Sequence, residues 1–105
     1  MKINAITICV NYADYLKLTL PENLDFFDTC LVVTDYNDKE TEEICSKYEQ
    51  VTVLKTDAFY KNNAPFAKSA GINAGLKLLP KDEWVVHWDA DMLVGKNFES
   101  VKKLT

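Results

Sequence analysis

The 105-residue sequence has no long apolar run, no block of basic residues, no low-complexity tract and no internal repeat. The apolar stretch 5–10 is too short for a signal peptide or a membrane span, and polar residues follow it at once. We therefore expect a cytoplasmic chain without a transmembrane segment. The net charge of −4 argues against a nucleic-acid partner, because a phosphate backbone generally calls for a basic surface.

Cysteine is scarce, with three residues and no C-x-x-C spacing. An odd number without ligand spacing favours neither a disulfide framework nor a metal cluster. Cys9 and Cys30 lie inside strand-like runs, so we expect these thiols and that of Cys45 to be reduced and mostly buried.

The rest of the composition is that of an ordinary globular protein, with 48% apolar and 27% charged residues. The length allows one domain with a substantial core but is short for an enzyme that binds two substrates. We therefore expect a single domain over residues 1–105.

Short runs rich in β-branched residues alternate along the chain with patterns of helical period. The expected strands are 3–10, 29–34, 51–54 and 84–88, and the expected helices are 13–20, 39–48 and 65–79. Pro21 and Pro80 should end two of these helices, because proline disfavours helical backbone in the residue before it. Residues 56–64 have no period and should form a loop. The order β-α-β-α-β-α-β predicts a three-layer α/β/α fold with a mostly parallel, Rossmann-like sheet covered on both faces.

The fourth apolar run ends in two carboxylates, Asp89 and Asp91. Successive side chains of an extended chain alternate in direction, so these two can point the same way. Hard oxygen ligands suit Mg²⁺ or Mn²⁺, which complete their coordination with water and substrate phosphates. The alternative interpretation is that both aspartates simply begin a polar turn.

Other polar residues follow the remaining strands. In open parallel sheets, ligands bind beyond the carboxyl ends of the strands. Asn11 and Tyr12 follow the first strand, Asp35 follows the second, and the loop at 56–63 follows the third. The sequence therefore predicts one binding site where these ends meet Asp89 and Asp91.

Four local patterns together resemble the amino-terminal half of a GT-A glycosyltransferase, most closely the large inverting group called family 2. They are the D-x-D motif at Asp89-Ala90-Asp91, the V-N-Y variant at 10–12, the V-V-D-D-G-S run at 32–37 and the F-x-K-x-x-x-x-N-x-G helix at 66–75. The third match is partial, because Asp35 keeps the acid while Thr34, Tyr36 and Asn37 depart from the pattern.

The resemblance implies a site for a nucleoside-diphosphate sugar of UDP or GDP type. Asn11 would belong to this site, Tyr12 would contact the nucleoside, Asp35 the base or ribose, and Lys68 the diphosphate or sugar. Three of them have a plainer interpretation: Asp35 as a turn-stabilising aspartate, Tyr12 as an aromatic residue at the core edge, and Lys68 as a solvated helix lysine.

At the D-x-D motif, the resemblance implies that Asp91 contacts the divalent metal directly. Asp89 would reach the ribose, or the metal through water. His87 could support this pair, although a lone histidine in a strand more often belongs to the core.

Family members continue beyond this motif with an acceptor-binding half, whereas ten residues follow Gly95 here. We therefore expect a half-domain that binds the donor, lacks the acceptor site and does not transfer sugar alone. Its apolar edge near the fourth strand could support self-association. The alternatives are a nucleotidyltransferase, which would normally carry a Gly-rich basic loop at 11–14, a phosphohydrolase, whose motif would come early, and a non-catalytic partner-binding fragment.

Overall fold

The computed structural model describes residues 2–63 and 66–93, and it contains the expected alternation of strands and helices. The elements are β1 (Ile3–Ile8), α1 (Ala13–Asn23), β2 (Thr29–Asp35), α2 (Lys39–Cys45), β3 (Val51–Thr56), α3 (Lys68–Leu76) and β4 (Trp84–His87). Short 3-10 segments at Leu24–Phe26 and Ala58–Asn63 join them.

The four strands form one parallel sheet in the order β3-β2-β1-β4. In register, Ile6 of β1 lies between Leu31 of β2 and His87 of β4. The chain builds outward from β1 through β2 to β3, and then returns to the other side of β1 for β4. The strand order therefore reverses between β1 and β4, which is where open α/β sheets form their ligand crevice.

Helices cover both faces of the sheet. On one face, Leu16 of α1 and Cys45 of α2 pack with Val32 of β2. On the other face, Ile72 of α3 packs with Ile6 of β1. All six residues of β1 are buried, as expected of a central strand in a three-layer fold. The α/β/α architecture predicted from the alternation is confirmed.

Two glycines allow α3 to approach its neighbours closely. A Cβ atom at Gly75 would lie 2.6 Å from Ile6 Cδ1 and 2.8 Å from Val33 Cγ2. At Gly71 it would lie 2.1 Å from Cε1 of Phe59. At these two positions the backbone of α3 therefore packs directly against the sheet and against the ring of Phe59.

The departures from the predicted elements lie at helix ends and in a loop. Helix α3 spans Lys68–Leu76 where 65–79 was expected, so it ends four residues before Pro80. Helix α1 continues through Pro21 to Asn23, although an interior proline costs about 3 kcal/mol. Burial of Leu20, Asn23 and Leu24 holds this last turn in place through packing that the local sequence does not reveal. The segment expected as a loop forms the 3-10 turns of Ala58–Asn63.

The three cysteines are free and buried, as predicted. Burial raises the pKa of the Cys9 thiol to about 11, and those of Cys30 and Cys45 to about 12. Strand β4 forms one edge of the sheet, and Trp84 at its start is 50% exposed. Within the described residues, no helix has the length and apolar character needed to cross a bilayer.

Candidate functional site

The segment after β4 alternates between core and surface. Trp88 and Ala90 are buried, and the Trp88 ring stacks on Phe27 with 6.2 Å between centroids. Asp89 and Asp91, which alternate with them, are exposed. The extended strand ends at His87, and residues 89–92 form a turn in which the Met92 N–H donates to Asp89 O at 2.9 Å. The polar turn considered from the sequence is therefore present, and both carboxylates are exposed on it.

Buried polar side chains hold the main chain of this segment from the core side. The carbonyl oxygens of three alternate residues each accept one hydrogen bond from a side chain of β1 or α1. The pairs are Thr7 Oγ1 with Trp88 O at 2.6 Å, Thr19 Oγ1 with Ala90 O at 2.6 Å, and Asn23 Nδ2 with Met92 O at 2.7 Å. The D-x-D backbone is thus anchored on both sides of each aspartate.

A cavity of about 400 Å³ opens between the ends of β1 and β4, at the point where the strand order reverses. We call it the first cavity, and it has the size of a small-molecule site. Its lining residues are Ile8, Val10, Tyr12, Tyr60, Phe66, Lys68, Asp89, Ala90 and Asp91. Exposed aromatic rings therefore face acidic and basic groups across one opening.

Lys68, at the start of α3, forms an ion pair with Asp89 across this cavity. The distance from Lys68 Nζ to Asp89 Oδ1 is 2.8 Å, and both side chains are about half exposed. The Lys68 hydrogen bond and charge lower the pKa of Asp89, with a smaller contribution from His87. Because the pair is solvated, it adds little stability, but it keeps Asp89 ionised and places an ammonium group at the cavity wall.

A second cavity of about 650 Å³ adjoins the first and shares Val10 and Tyr60 with it. Its other lining residues are Asn11, Asp35, Asn37, Asp38 and Asp57. The second cavity is therefore polar and acidic, whereas the first combines aromatic and charged groups.

Asp38 supports the loop after β1 from beneath. Asn11 has a left-handed backbone with φ of 60°, and its N–H donates to Asp38 Oδ2 at 2.8 Å. The same carboxylate accepts from Thr41 N at 3.2 Å and Thr41 Oγ1 at 2.7 Å, which caps α2. Sequence reasoning missed this residue, although an aspartate just before a charged helical pattern is a capping signal.

The carboxylates present suit a cation that is bound together with substrate. Asp89 and Asp91 supply two hard oxygen ligands at the first cavity. Residues 2–63 and 66–93 contain no cluster of three or more His, Cys, Asp or Glu side chains placed to hold a metal ion. This donor set fits Mg²⁺ or Mn²⁺, which take their other ligands from phosphate and water, and it does not fit a closed structural zinc site.

The structure brings the six residues proposed from the sequence to two adjoining cavities. Tyr12, Lys68, Asp89 and Asp91 line the first cavity, and Asn11 and Asp35 line the second. Tyr60 and Phe66, which line the first cavity, were not anticipated. Tyr60 comes from the stretch 56–64, whose lack of period gave no indication of where its ring would lie, and Phe66 was noted only as the first residue of the F-x-K motif.

His87 is exposed at the end of the edge strand, so its interpretation as a core histidine is wrong. Its charge contributes to the lowered pKa of Asp89.

The model of glycosyl transferase family 2 matches residues 5–102 of the chain. The chain belongs to this family. The match takes in β2, β3, β4, all of β1 except its first two residues, and every cavity-lining residue named above, so the family expected from the four motifs is confirmed.

This family 2 chain also resembles a solved structure with the same kind of fold. The structure is 4-diphosphocytidyl-2C-methyl-D-erythritol synthase from Anaerococcus prevotii, with a TM-score of 0.67 and 18% sequence identity. The likeness covers 97% of this chain and 52% of that one, so the chain spans about half the length of the structure it matches. At this identity the similarity shows the fold alone. No curated protein matches the chain.

Proposed function

We propose that the chain is the donor-binding domain of a glycosyltransferase and binds a nucleoside-diphosphate sugar of UDP or GDP type. The observation that carries this proposal is the convergence of Tyr12, Lys68, Asp89 and Asp91 on the cavity between β1 and β4. Membership of family 2 supports the same class of ligand. An acidic chain needs cationic groups to hold a diphosphate, and this cavity offers Lys68 and a carboxylate pair suited to a metal ion.

The diphosphate is expected beside the D-x-D motif. Asp91 would contact Mg²⁺ or Mn²⁺ directly, and Asp89 would contact the ribose, or the metal through water. Lys68, whose Nζ bonds Asp89 Oδ1 at 2.8 Å, would exchange this bond for one to a phosphate oxygen. When bound, the metal would act as a Lewis acid that stabilises charge on the departing nucleoside diphosphate.

The nucleoside is expected where the two cavities meet. Tyr12 is 48% exposed and Tyr60 is 46% exposed, so each offers accessible aromatic surface for a base or ribose. Asn11 and Asp35 of the second cavity offer hydrogen-bond partners for the base or the ribose hydroxyls.

We further propose that residues 1–105 form one half-domain of GT-A type without an acceptor site. The isolated chain would then bind the donor without transferring sugar to the unknown acceptor. The cytoplasm remains the proposed location, and self-association through the exposed edge of β4 remains a prediction. Robust sugar transfer by the isolated chain would contradict this view of its completeness.

Calorimetric titration tests the donor site. UDP and GDP are titrated into the chain with and without Mn²⁺, and into the variants Asp91→Ala and Asp82→Ala. Asp82 is exposed in the turn before β4, at the opposite end of the strands, and is the matched control. We expect binding that needs Mn²⁺, disappears in Asp91→Ala and persists in Asp82→Ala. Absence of binding by the unmodified chain would instead favour a partner-binding fragment with a degenerate site.

A further inference from the structure

The peptide group that joins Ala90 to Asp91 in the D-x-D motif accepts a hydrogen bond from a side chain of α1. Ala90 is the residue between Asp89 and Asp91, and its carbonyl oxygen accepts a hydrogen bond of 2.6 Å from Thr19 Oγ1. Thr19 is 6% exposed and Ala90 is also 6% exposed, so water has little access to this bond. The hydroxyl therefore sets the orientation of a buried peptide plane.

We propose that Thr19 is a positioning residue that fixes the relative orientation of the Asp89 and Asp91 carboxylates. This inference rests on the proposed function, in which the two carboxylates face a metal-bound nucleoside diphosphate. The Ala90 carbonyl belongs to the peptide that joins Ala90 to Asp91, so its rotation changes ψ of Ala90 and φ of Asp91 and thereby the direction of the Asp91 side chain relative to Asp89. Groups that orient metal ligands without touching the metal commonly determine its affinity.

The neighbouring anchors lie outside the carboxylate pair. Thr7 and Asn23 bind the carbonyls of Trp88 and Met92, which precede and follow the motif. Trp88 is fixed a second time by its own N–H, which donates to Ile6 O at 3.1 Å. Within the motif, the Asp89 carbonyl accepts from the Met92 N–H at 2.9 Å, and Thr19 is the side chain that holds the Ala90–Asp91 peptide.

The direction of the Thr19 hydroxyl is informative because threonine inside a helix often bonds to the carbonyl four residues earlier. Here it donates to Ala90, 71 residues away in sequence. Helix α1 also begins just after Tyr12, whose ring lines the first cavity. One helix thus supports an aromatic wall of the cavity and the backbone of the carboxylate pair.

The test replaces Thr19 with valine, which has nearly the same shape but no hydroxyl. The Ala90 carbonyl then loses its buried donor, and its peptide is expected to rotate. We expect Mn²⁺-dependent affinity for UDP or GDP to fall roughly 10- to 100-fold, the usual range for loss of a group that orients metal ligands. Thr19→Ser retains the donor and should restore affinity to within about threefold of the original.

The matched control is Thr29→Val. The Thr29 hydroxyl donates to Asn4 Oδ1 at 2.5 Å, at the amino end of the sheet and away from the cavities. It should reduce thermal stability as Thr19→Val does, yet leave nucleotide affinity unchanged. Calorimetry below the Tm of every variant gives the affinities, and electron paramagnetic resonance of bound Mn²⁺ reports its coordination.

Equal affinity in the unmodified chain and Thr19→Val would overturn the positioning role while leaving the donor site intact. Equal weakening by Thr29→Val would overturn it too, because the loss would then reflect stability alone. If the unmodified chain shows no Mn²⁺-dependent binding, both the donor site and the positioning role fail. Should Thr19→Val not fold, Thr19→Ala also removes the hydroxyl and is measured against the same expected loss.

Discussion

Replacing Gly71 with alanine tests whether the backbone of α3 packs directly against the ring of Phe59. A Cβ atom at position 71 would lie 2.1 Å from Cε1 and 2.4 Å from Cζ of that ring. Phe59 is fully buried and stacks on Phe66 with 5.2 Å between centroids. Because a phenyl ring is rigid and its surroundings are closely packed, either the ring or the helix must move.

Two effects of opposite sign determine how much Gly71→Ala changes the free energy of unfolding. Alanine favours a helix interior by about 1 kcal/mol relative to glycine. Overpacking costs about 1–3 kcal/mol, and the short distances at Gly71 place the cost near the upper limit. We therefore expect a net loss of about 2 kcal/mol in the free energy of unfolding, or roughly 8–16 °C in Tm for a domain of this size.

The assay is urea unfolding followed by circular dichroism, with Asn73→Ala as the control. Asn73 is exposed on the same helix, so this variant should show only the propensity gain, about 0.5 kcal/mol. Phe59→Leu removes the ring that the new methyl group meets, so the double variant with Gly71→Ala should lose at least about 1 kcal/mol less than the sum of the single losses. Stabilisation by Gly71→Ala, or additive losses, would refute the reasoning.

An ion pair, a buried carboxylate and the buried thiols lead to further expected outcomes. Lys68→Met should raise the pKa of Asp89 toward its ordinary value in an NMR titration, because Lys68 holds it low. The stability that this pair contributes is present above the ordinary pKa of aspartate and is lost as the pH falls through the lowered pKa of the folded state. Because the pair is so exposed, the contribution is at most about 1 kcal/mol. Asp38→Ala should lower the free energy of unfolding in urea by about 3 kcal/mol, because it removes a helix cap and leaves the Asn11 N–H without its acceptor. A loss of only a few tenths of a kcal/mol would contradict these roles of the Asp38 carboxylate. In the native chain at pH 8, Ellman's reagent should modify none of the three thiols, whose pKa values burial raises to about 11 or 12, and modification before unfolding would count against their burial.

The predicted elements were most accurate where a local pattern carries the information. The four apolar runs became strands, because alternating and β-branched patterns are properties of neighbouring residues. The predicted end of α1 was wrong. Pro21 would normally stop a helix, but the burial of Leu20 and Leu24 keeps the last turn of α1 helical. Tyr15 and Leu18 of this helix are apolar residues, yet they lie 48% and 68% exposed. The buried face of this helix includes Thr19 and Asn23 instead.

The candidate site also has one part that the local sequence predicts and another that it does not. The spacing of Asp89 and Asp91 predicts that both carboxylates reach one site, and both line the first cavity. They do so from a turn that follows β4 and not from an extended strand. The partners of this segment could not be predicted, because the hydroxyl of Thr19 meets the Ala90 carbonyl only after α1 packs beside the segment.

By itself, the sequence determined the α/β alternation, the family and the identity of the acidic pair, since each depends on residues close together in the chain. The tertiary structure decided the strand order, and with it which loops meet. Because β4 pairs with β1 and not with β3, Asp89 and Asp91 lie beside Tyr12 and at the point where the strand order reverses. That pairing joins residues far apart in sequence, and it reflects the packing of helices on both faces of the sheet, which no local pattern records.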